Sequence, residues 1–176
     1  DLPKAGWVRL RQSQPITETT KSASFHCSAS GYWYVSLVVE FVMPDTPLPQ
    51  VNPDKVVGID LGLKDFAIFS DDTENVPSPK FFQAHQRKLR RAQRTLSRRK
   101  PGSNRRAKAK LAVAKVHQKI SDHRSDFLHK LTTELVRNHD GLCIEDLCVK
   151  GLARTKLAKS VNDASWGEFR RQVEYK

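Results

Sequence analysis

Three absences bound what this chain can do. Cysteine is sparse: Cys27, Cys143 and Cys148 are an odd number, and none belongs to a Cys-x-x-Cys pair. That excludes a disulfide framework and a cysteine zinc knuckle, so no zinc site is expected, and it fits a reducing intracellular compartment. Long apolar runs are missing too. Nothing approaches the ~18–20 apolar residues of a membrane span, and no charged-then-apolar leader is visible. The third absence is local: between Phe81 and Ser121 there is no Asp or Glu at all.

That window holds 14 of the 31 Lys and Arg, whereas the other 17 basic residues are nearly cancelled by the 19 acids, so the net charge of +12 belongs to one segment. A solvated helix face usually interleaves both signs. A one-signed segment points instead to a polyanion, whose phosphates release counterions on binding. An anionic membrane surface is disfavoured because bulky apolar anchors are lacking. From Phe82 to about Lys100 the spacing is helical, with Phe82, Leu89, Ala92 and Leu96 on one stripe. Pro101-Gly102-Ser103-Asn104 breaks it, and a second helix is expected to run to about Asn138 on Ala109, Val113, Val116, Ile120, Phe127, Leu131 and Leu135. The expectation is a long basic helical hairpin over about 82–138. Its candidate nucleic-acid contacts are Arg87, Lys88, Arg90, Arg91, Arg94, Arg98, Arg99, Lys100, Arg105, Arg106, Lys108 and Lys110. His117, His123 and His129 recur every six residues, a rotation of about 240° on a helix, and read as surface or groove residues rather than metal ligands.

The stretch Val56-Val57-Gly58-Ile59-Asp60-Leu61-Gly62-Leu63-Lys64-Asp65-Phe66-Ala67-Ile68-Phe69-Ser70 reads as two strands joined by a tight turn. Asp60 is the one acid of the first strand. A carboxylate at the mouth of a buried strand needs a cation or donors, so it is a candidate metal ligand; the alternative is that it accepts turn amides. Asp71 and Asp72 follow in a polar loop and read as solvated turn acids, with metal ligation as the rival. After the helices, Leu142-Cys143-Ile144-Glu145-Asp146-Leu147 reads as a short buried strand that again ends in carboxylates. Strand, acid, helical excursion, strand, acid is a way to bring Asp60 and Glu145 together at neighbouring strand ends, where they could share divalent cations. For Glu145 the alternatives are a helix cap or an ion pair with Lys150 or Arg154.

Residues 1–52 read as β-structure. Gly6–Arg11 alternates, Ser22–Ser28 is β-compatible, Tyr32–Met43 alternates Trp33, Val35, Leu37, Val39 and Phe41, and Ser28-Ala29-Ser30-Gly31 is a hairpin turn. Met43-Pro44-Asp45-Thr46-Pro47-Leu48-Pro49 cannot continue a sheet and marks the boundary to a second domain, 53–176. The first segment is too short for a closed barrel. With Asp1 in place of Met and a periodic stretch that stops at Lys176, the chain is expected to be a piece of a longer polypeptide. Pro77–Phe82 is read as a short extra strand, and the stretch after Lys150-Gly151 carries little order signal. Trp166, Phe169 and Val173 mark a closing amphipathic helix, with Asn162, Asp163 or Ser165 as its cap. Its aromatics are read as core contacts, base stacking by Trp166 being the rival.

Five motifs in order, Gly58-Ile59-Asp60-Leu61-Gly62-Leu63-Lys64-Asp65-Phe66-Ala67, Leu96-Ser97-Arg98-Arg99-Lys100, Arg124-Ser125-Asp126-Phe127-Leu128-His129-Lys130-Leu131, Ile144-Glu145-Asp146-Leu147 and Ser165-Trp166-Gly167-Glu168-Phe169, closely resemble the TnpB (OrfB) proteins of insertion sequences, relatives of type V CRISPR effectors. Leu2-Pro3-Lys4-Ala5-Gly6-Trp7 looks like the start of the last strands of that family's wedge (WED) barrel. The resemblance implies an α/β fold: a RuvC-like, ribonuclease-H-type mixed sheet with an inserted basic helical hairpin, preceded by wedge strands. It implies an RNA-guided DNA endonuclease that needs Mg2+ or Mn2+, with guide RNA and target DNA as partners and no small-molecule substrate. By position Asp60 matches the first RuvC carboxylate and Glu145 the second. The third, an Asp after a four-cysteine zinc ribbon, is expected beyond Lys176, which leaves a catalytically inactive RNA- or DNA-binding protein as the alternative. The implied setting is the interior of a bacterium or archaeon, at the nucleoid when DNA is bound.

Overall fold

A computed structural model describes residues 6–12, 15–42 and 50–176, and the chain divides into two units, 1–47 and 48–176. The proline-rich run at 43–49 and the opening residues 1–5 lie outside the described residues.

In the first unit, β1 (Thr19–Cys27) and β2 (Trp33–Glu40) form an antiparallel ribbon in which Cys27 pairs with Trp33 and Thr19 with Glu40. The expected turn joins them: Gly31 takes φ +84°, which only glycine adopts freely, and Ser28 N–H donates to Tyr32 O at 2.8 Å. The apolar set Val35, Leu37 and Val39 is half-buried, but Phe25 and Trp33 stand in solvent. Two strands alone are marginal in water. The strand expected over Gly6–Arg11 does not form: Gly6 is an isolated bridge residue, residues 7–12 are irregular and Trp7 is 89% exposed, because alternation does not make a strand without a strand to pair with, and residues 7–12 have none among the described residues.

The second unit is a mixed α/β layer structure. Its sheet has the order β5-β4-β3-β6, from β3 (Val56–Asp60), β4 (Asp65–Phe69), β5 (Val76–Pro77) and β6 (Gly141–Ile144). β3 and β4 are antiparallel, β3 and β6 parallel. The β3–β4 turn is tight enough that a Cβ on Gly62 would lie 2.7 Å from Asp65 O, so glycine is required there. β5 is two residues long and precedes the expected place, since α1 (Phe81–Ser97) already begins at Phe81. α2 (Asn104–Asn138) follows, then β6, α3 (Val149–Leu152), α4 (Ala158–Ala164) and α5 (Trp166–Tyr175). The stretch after Lys150, without order signal in the sequence, is thus largely helical. Among the described residues no helix is long and apolar enough to cross a membrane.

Two apolar clusters hold these elements. The larger covers one sheet face: Val57, Ile59, Phe66 and Phe69 meet Leu128, Leu131 and Leu135 of α2 and Val161, Trp166 and Phe169 of α4 and α5. Phe66, with no exposed surface, sits edge-on to Phe127 at 5.3 Å and to Phe169 at 5.4 Å. Trp166 is 5% exposed, which rules out base stacking and leaves the core reading. The smaller cluster, Leu89, Val116 and Ile120, holds α1 to the first half of α2. One helix therefore serves both clusters, α2 being about 52 Å long at 1.5 Å per residue.

A polar knot joins the clusters. Lys80, the residue before α1, is left-handed (φ +46°) and gives no side-chain cap. The cap comes from Asp163 of α4, whose carboxylate accepts the Phe82 N–H at 2.9 and 3.0 Å and also a hydrogen bond from Arg124 of α2 at 3.0 Å. Asp163 was expected to cap the closing helix; it caps a different one, because its side chain points back across α2. Neither Asn162 nor Ser165 gives α5 a side-chain cap, Ser165 being left-handed at φ +57°.

Asp163→Ala should remove the α1 cap and orphan a largely buried guanidinium, a loss of about 2–4 kcal/mol by urea unfolding, with faster amide exchange in the first turn of α1. Asp163→Asn should lose less. A second expectation concerns acid. Hydrogen bonds from Arg171 and then Gln172 hold the Glu168 carboxyl down to about 2 from an ordinary 4.5. A depressed carboxyl stabilises the fold above its unfolded value, and that stability is lost as pH falls from about 4.5 towards 2. Glu168→Gln should flatten the acid limb of a stability–pH curve in that window and leave the curve's shape near neutrality alone.

Candidate metal centre and nucleic-acid interface

Parallel strands place two distant acids side by side when register allows it, and here the register is pinned from the strand starts. Asp140 N–H donates to Lys55 O at 3.0 Å, and the Asp140 carboxylate accepts Asn52 N–H at 3.2 Å. Gly141 then lies so close to β3 that a Cβ would sit 3.1 Å from Val56 Cγ2. From there Val56 pairs with Gly141, Val57 with Leu142, Gly58 with Cys143 and Ile59 with Ile144. The recorded pairing ends there, with Asp60 the last residue of β3 and Glu145 the first residue past β6. Val57, Ile59, Leu142 and Ile144 pack into the core, so alternation along β3 turns Asp60 to the opposite face; Asp60 and Glu145 are both exposed.

Neither carboxylate is engaged in a hydrogen bond or ion pair with another described residue. The turn-amide reading of Asp60 and the Lys150 or Arg154 pairing of Glu145 are thus not what forms. Other acids nearby are committed. Asp146 pairs with Arg170 at 2.5 Å. Asp71 accepts Thr73 N–H at 3.0 Å and faces His139 Nε2 at 3.3 Å. The hydrogen bond from Thr73 is the main cause that holds the Asp71 carboxyl below its usual range. Among the described residues no three His, Cys, Asp or Glu side chains converge as a metal cluster.

The donor chemistry of the pair fits a hard divalent cation. Magnesium binds through one or two carboxylates and completes its shell with waters and substrate phosphates. Asp60 and Glu145 are exposed oxygen donors of that type, their carboxylates in no hydrogen bond or ion pair among the described residues. Cys143, two residues before Glu145 on the same face, offers a soft thiol that suits other metals.

The basic residues occupy α1, the tip and the start of α2. Eleven of the twelve candidates are exposed: Arg87, Lys88, Arg90, Arg91, Arg94, Arg98, Arg99, Lys100, Arg105, Lys108 and Lys110. None of them forms an ion pair with a described acid. Arg91, Arg94, Thr95, Arg98 and Arg99 line a shallow cavity of about 370 Å³. Arg106 differs: it is half-buried and donates to Leu96 O at 3.2 Å and Arg99 O at 2.9 Å, closing the tip over the end of α1. Sequence reasoning placed it with the others because spacing does not reveal that a cation faces a helix C-terminus. It also missed the Asp163–Arg124 knot, whose one signal was an isolated acid in a basic stretch. His117, His123 and His129 are exposed, His123 lying edge-on to Phe81 and His85.

Residues 36–156 match a family model of the OrfB IS605 type described as "Probable transposase". The chain is 40% identical over 170 residues to a "Putative RNA-guided DNA endonuclease" of Streptomyces pristinaespiralis, covering 95% of this chain and 41% of that protein. It is 36% identical over 191 residues to "Putative RNA-guided DNA endonuclease InsQ" of Escherichia coli K12, covering 99% and 46%. It is also similar, at 27% over 152 residues, to "TnpB-like protein L79" of Acanthamoeba polyphaga mimivirus. The chain spans less than half the length of each of these relatives.

Because the two carboxylates lack partners, Asp60→Asn and Glu145→Gln should each change metal-free stability by less than about 0.5 kcal/mol in a thermal melt. A clear loss with Asp60→Asn would mean that the carboxylate serves the turn.

Proposed function

The chain belongs to the TnpB (OrfB) family of insertion-sequence proteins, and from that membership we propose that it forms part of an RNA-guided, divalent-metal-dependent DNA endonuclease. The mixed sheet of the second unit is read as the RuvC-like, ribonuclease-H-type part, α1 and α2 as its inserted basic hairpin, and the β1–β2 ribbon as wedge-barrel strands. The observation that supports the proposal is that Asp60 ends β3 and Glu145 directly follows β6, the parallel strand beside it, with neither carboxylate in a hydrogen bond or ion pair among the described residues.

Asp60 and Glu145 would hold Mg2+ or Mn2+ at the exposed face of the sheet. Bound there, the ion would supply a polarised water and positive charge for the leaving oxygen of a phosphodiester. The two carboxylates would orient that chemistry, Asp60 from the last position of β3 and Glu145 from the residue that follows β6. The exposed cations of α1 and α2 would hold guide RNA and target DNA by their phosphates, leaving sequence to be read by base pairing. The three free cysteines fit an intracellular setting, at chromosomal DNA. A second reading, binding without cleavage, rests on the same basic arm, which needs no metal.

The test is nicking of a labelled DNA duplex by the chain with a matching guide RNA across a Mg2+ and Mn2+ series. Metal-dependent cleavage abolished by Asp60→Ala and by Glu145→Ala separately, with binding retained, is the expected result. Binding without cleavage at every metal concentration would establish the second reading instead.

A further inference from the structure

Beside the β3–β4 turn, three residues past Asp60, a cavity of about 260 Å³ opens between that turn, the start of α1 and α4. Its lining combines apolar Leu63 and Phe82, the latter also packed against the α1–α2 cluster, with Gln83, Gln86, Lys80 and Lys159. Ser78 and Ser160 add hydroxyls, and the one acid in the wall, Asp163, is neutralised by Arg124 and the Phe82 N–H. Lys80 holds its place in a left-handed conformation that a side chain rarely adopts (φ +46°). Strain of that kind collects at binding sites.

Resting on the nucleic-acid reading above, we propose that this cavity seats a single nucleotide of the bound strand. Each wall group has a counterpart in that ligand. Apolar Leu63 and Phe82 suit the edge of a base ring, glutamine amides both donate and accept, and two lysines suit the flanking phosphates. The volume lies just below the ~300–1,000 Å³ of small-molecule sites, room for one nucleotide and not for a duplex. The direction of the strand follows from the helix. Gln83, Arg87, Arg90 and Arg94 fall on one face of α1 at spacings of four and three, and Arg87, Arg90 and Arg94 are exposed. A chain leaving the cavity would therefore meet a cation at about every turn. The cavity anchors one nucleotide, and the arm holds those that follow.

The test uses the full chain and fluorescent single-stranded oligonucleotides of about 20 residues, DNA and RNA in parallel, with anisotropy read between about 50 and 200 mM salt. Lys80→Gly with Lys159→Gln should lower the slope of log affinity against log salt by about 1.4, two contacts at ~0.7 each, and weaken binding about tenfold. Glycine suits the left-handed position, so the fold should persist, as circular dichroism would verify. Lys150→Gln with Lys156→Gln removes the same charge outside the cavity and should leave the slope unchanged. Gln83→Ala with Gln86→Ala should weaken binding about fivefold with no change of slope. Equal losses from the two lysine pairs would overturn the cavity and leave the nucleic-acid reading standing. No binding by the unaltered chain would overturn both. A stronger effect on RNA than on DNA, or the reverse, would support the site and identify the strand it receives.

Discussion

The parallel register between β3 and β6 is the constraint on which the rest depends. Side chains in a strand alternate with a period of two, so a slip of one residue would turn Leu142 and Ile144 of β6 out of the core. That slip is opposed by interactions at the far end of the strands: the Asp140 N–H on Lys55 O and the close approach of Gly141 to Val56. The acids themselves contribute nothing to it. Asp60 and Glu145 are exposed, and their carboxylates carry no hydrogen bond or ion pair among the described residues.

The second determinant is how the basic arm is joined to the sheet. The first half of α2 packs on α1 through Leu89, Val116 and Ile120, and the second half packs on the sheet core through Leu128, Leu131 and Leu135. Between these apolar regions lies Arg124, paired with Asp163, which also caps α1. The knot is polar and only partly buried, with Arg124 and Asp163 side chains 25% and 10% exposed. It fixes direction more than it adds stability, because a hydrogen-bonded ion pair tolerates fewer arrangements than a contact among leucines.

Much of this could be read from residues alone. The ends of β3 and β6 were legible because an acid, Asp60 or Glu145, closes each apolar run, and the helices between them were legible from threes and fours in the apolar spacing. The Ser28–Gly31 turn was legible from small residues that end in glycine. The misreadings share one cause, which is that pattern reports a residue's own neighbourhood and not its partner. Gly6–Arg11 alternates like a strand but has no strand to join among the described residues. Asp163 and Arg106 look like a local cap and a solvent-facing cation, yet each acts on a segment far along the chain or across a hairpin tip. Helix α4 was hidden because its apolar residues, Val161 and Ala164, are too few to make a stripe by themselves.

Since the offset between the two carboxylate positions is set where β6 begins, the arm between them is, mechanically, a detachable limb. Its reach could grow or shrink by whole helical turns in α1 and the facing part of α2 without displacing either acid. A lineage could thus lengthen or shorten this basic arm while the strand ends at Asp60 and Ile144 stayed where they are.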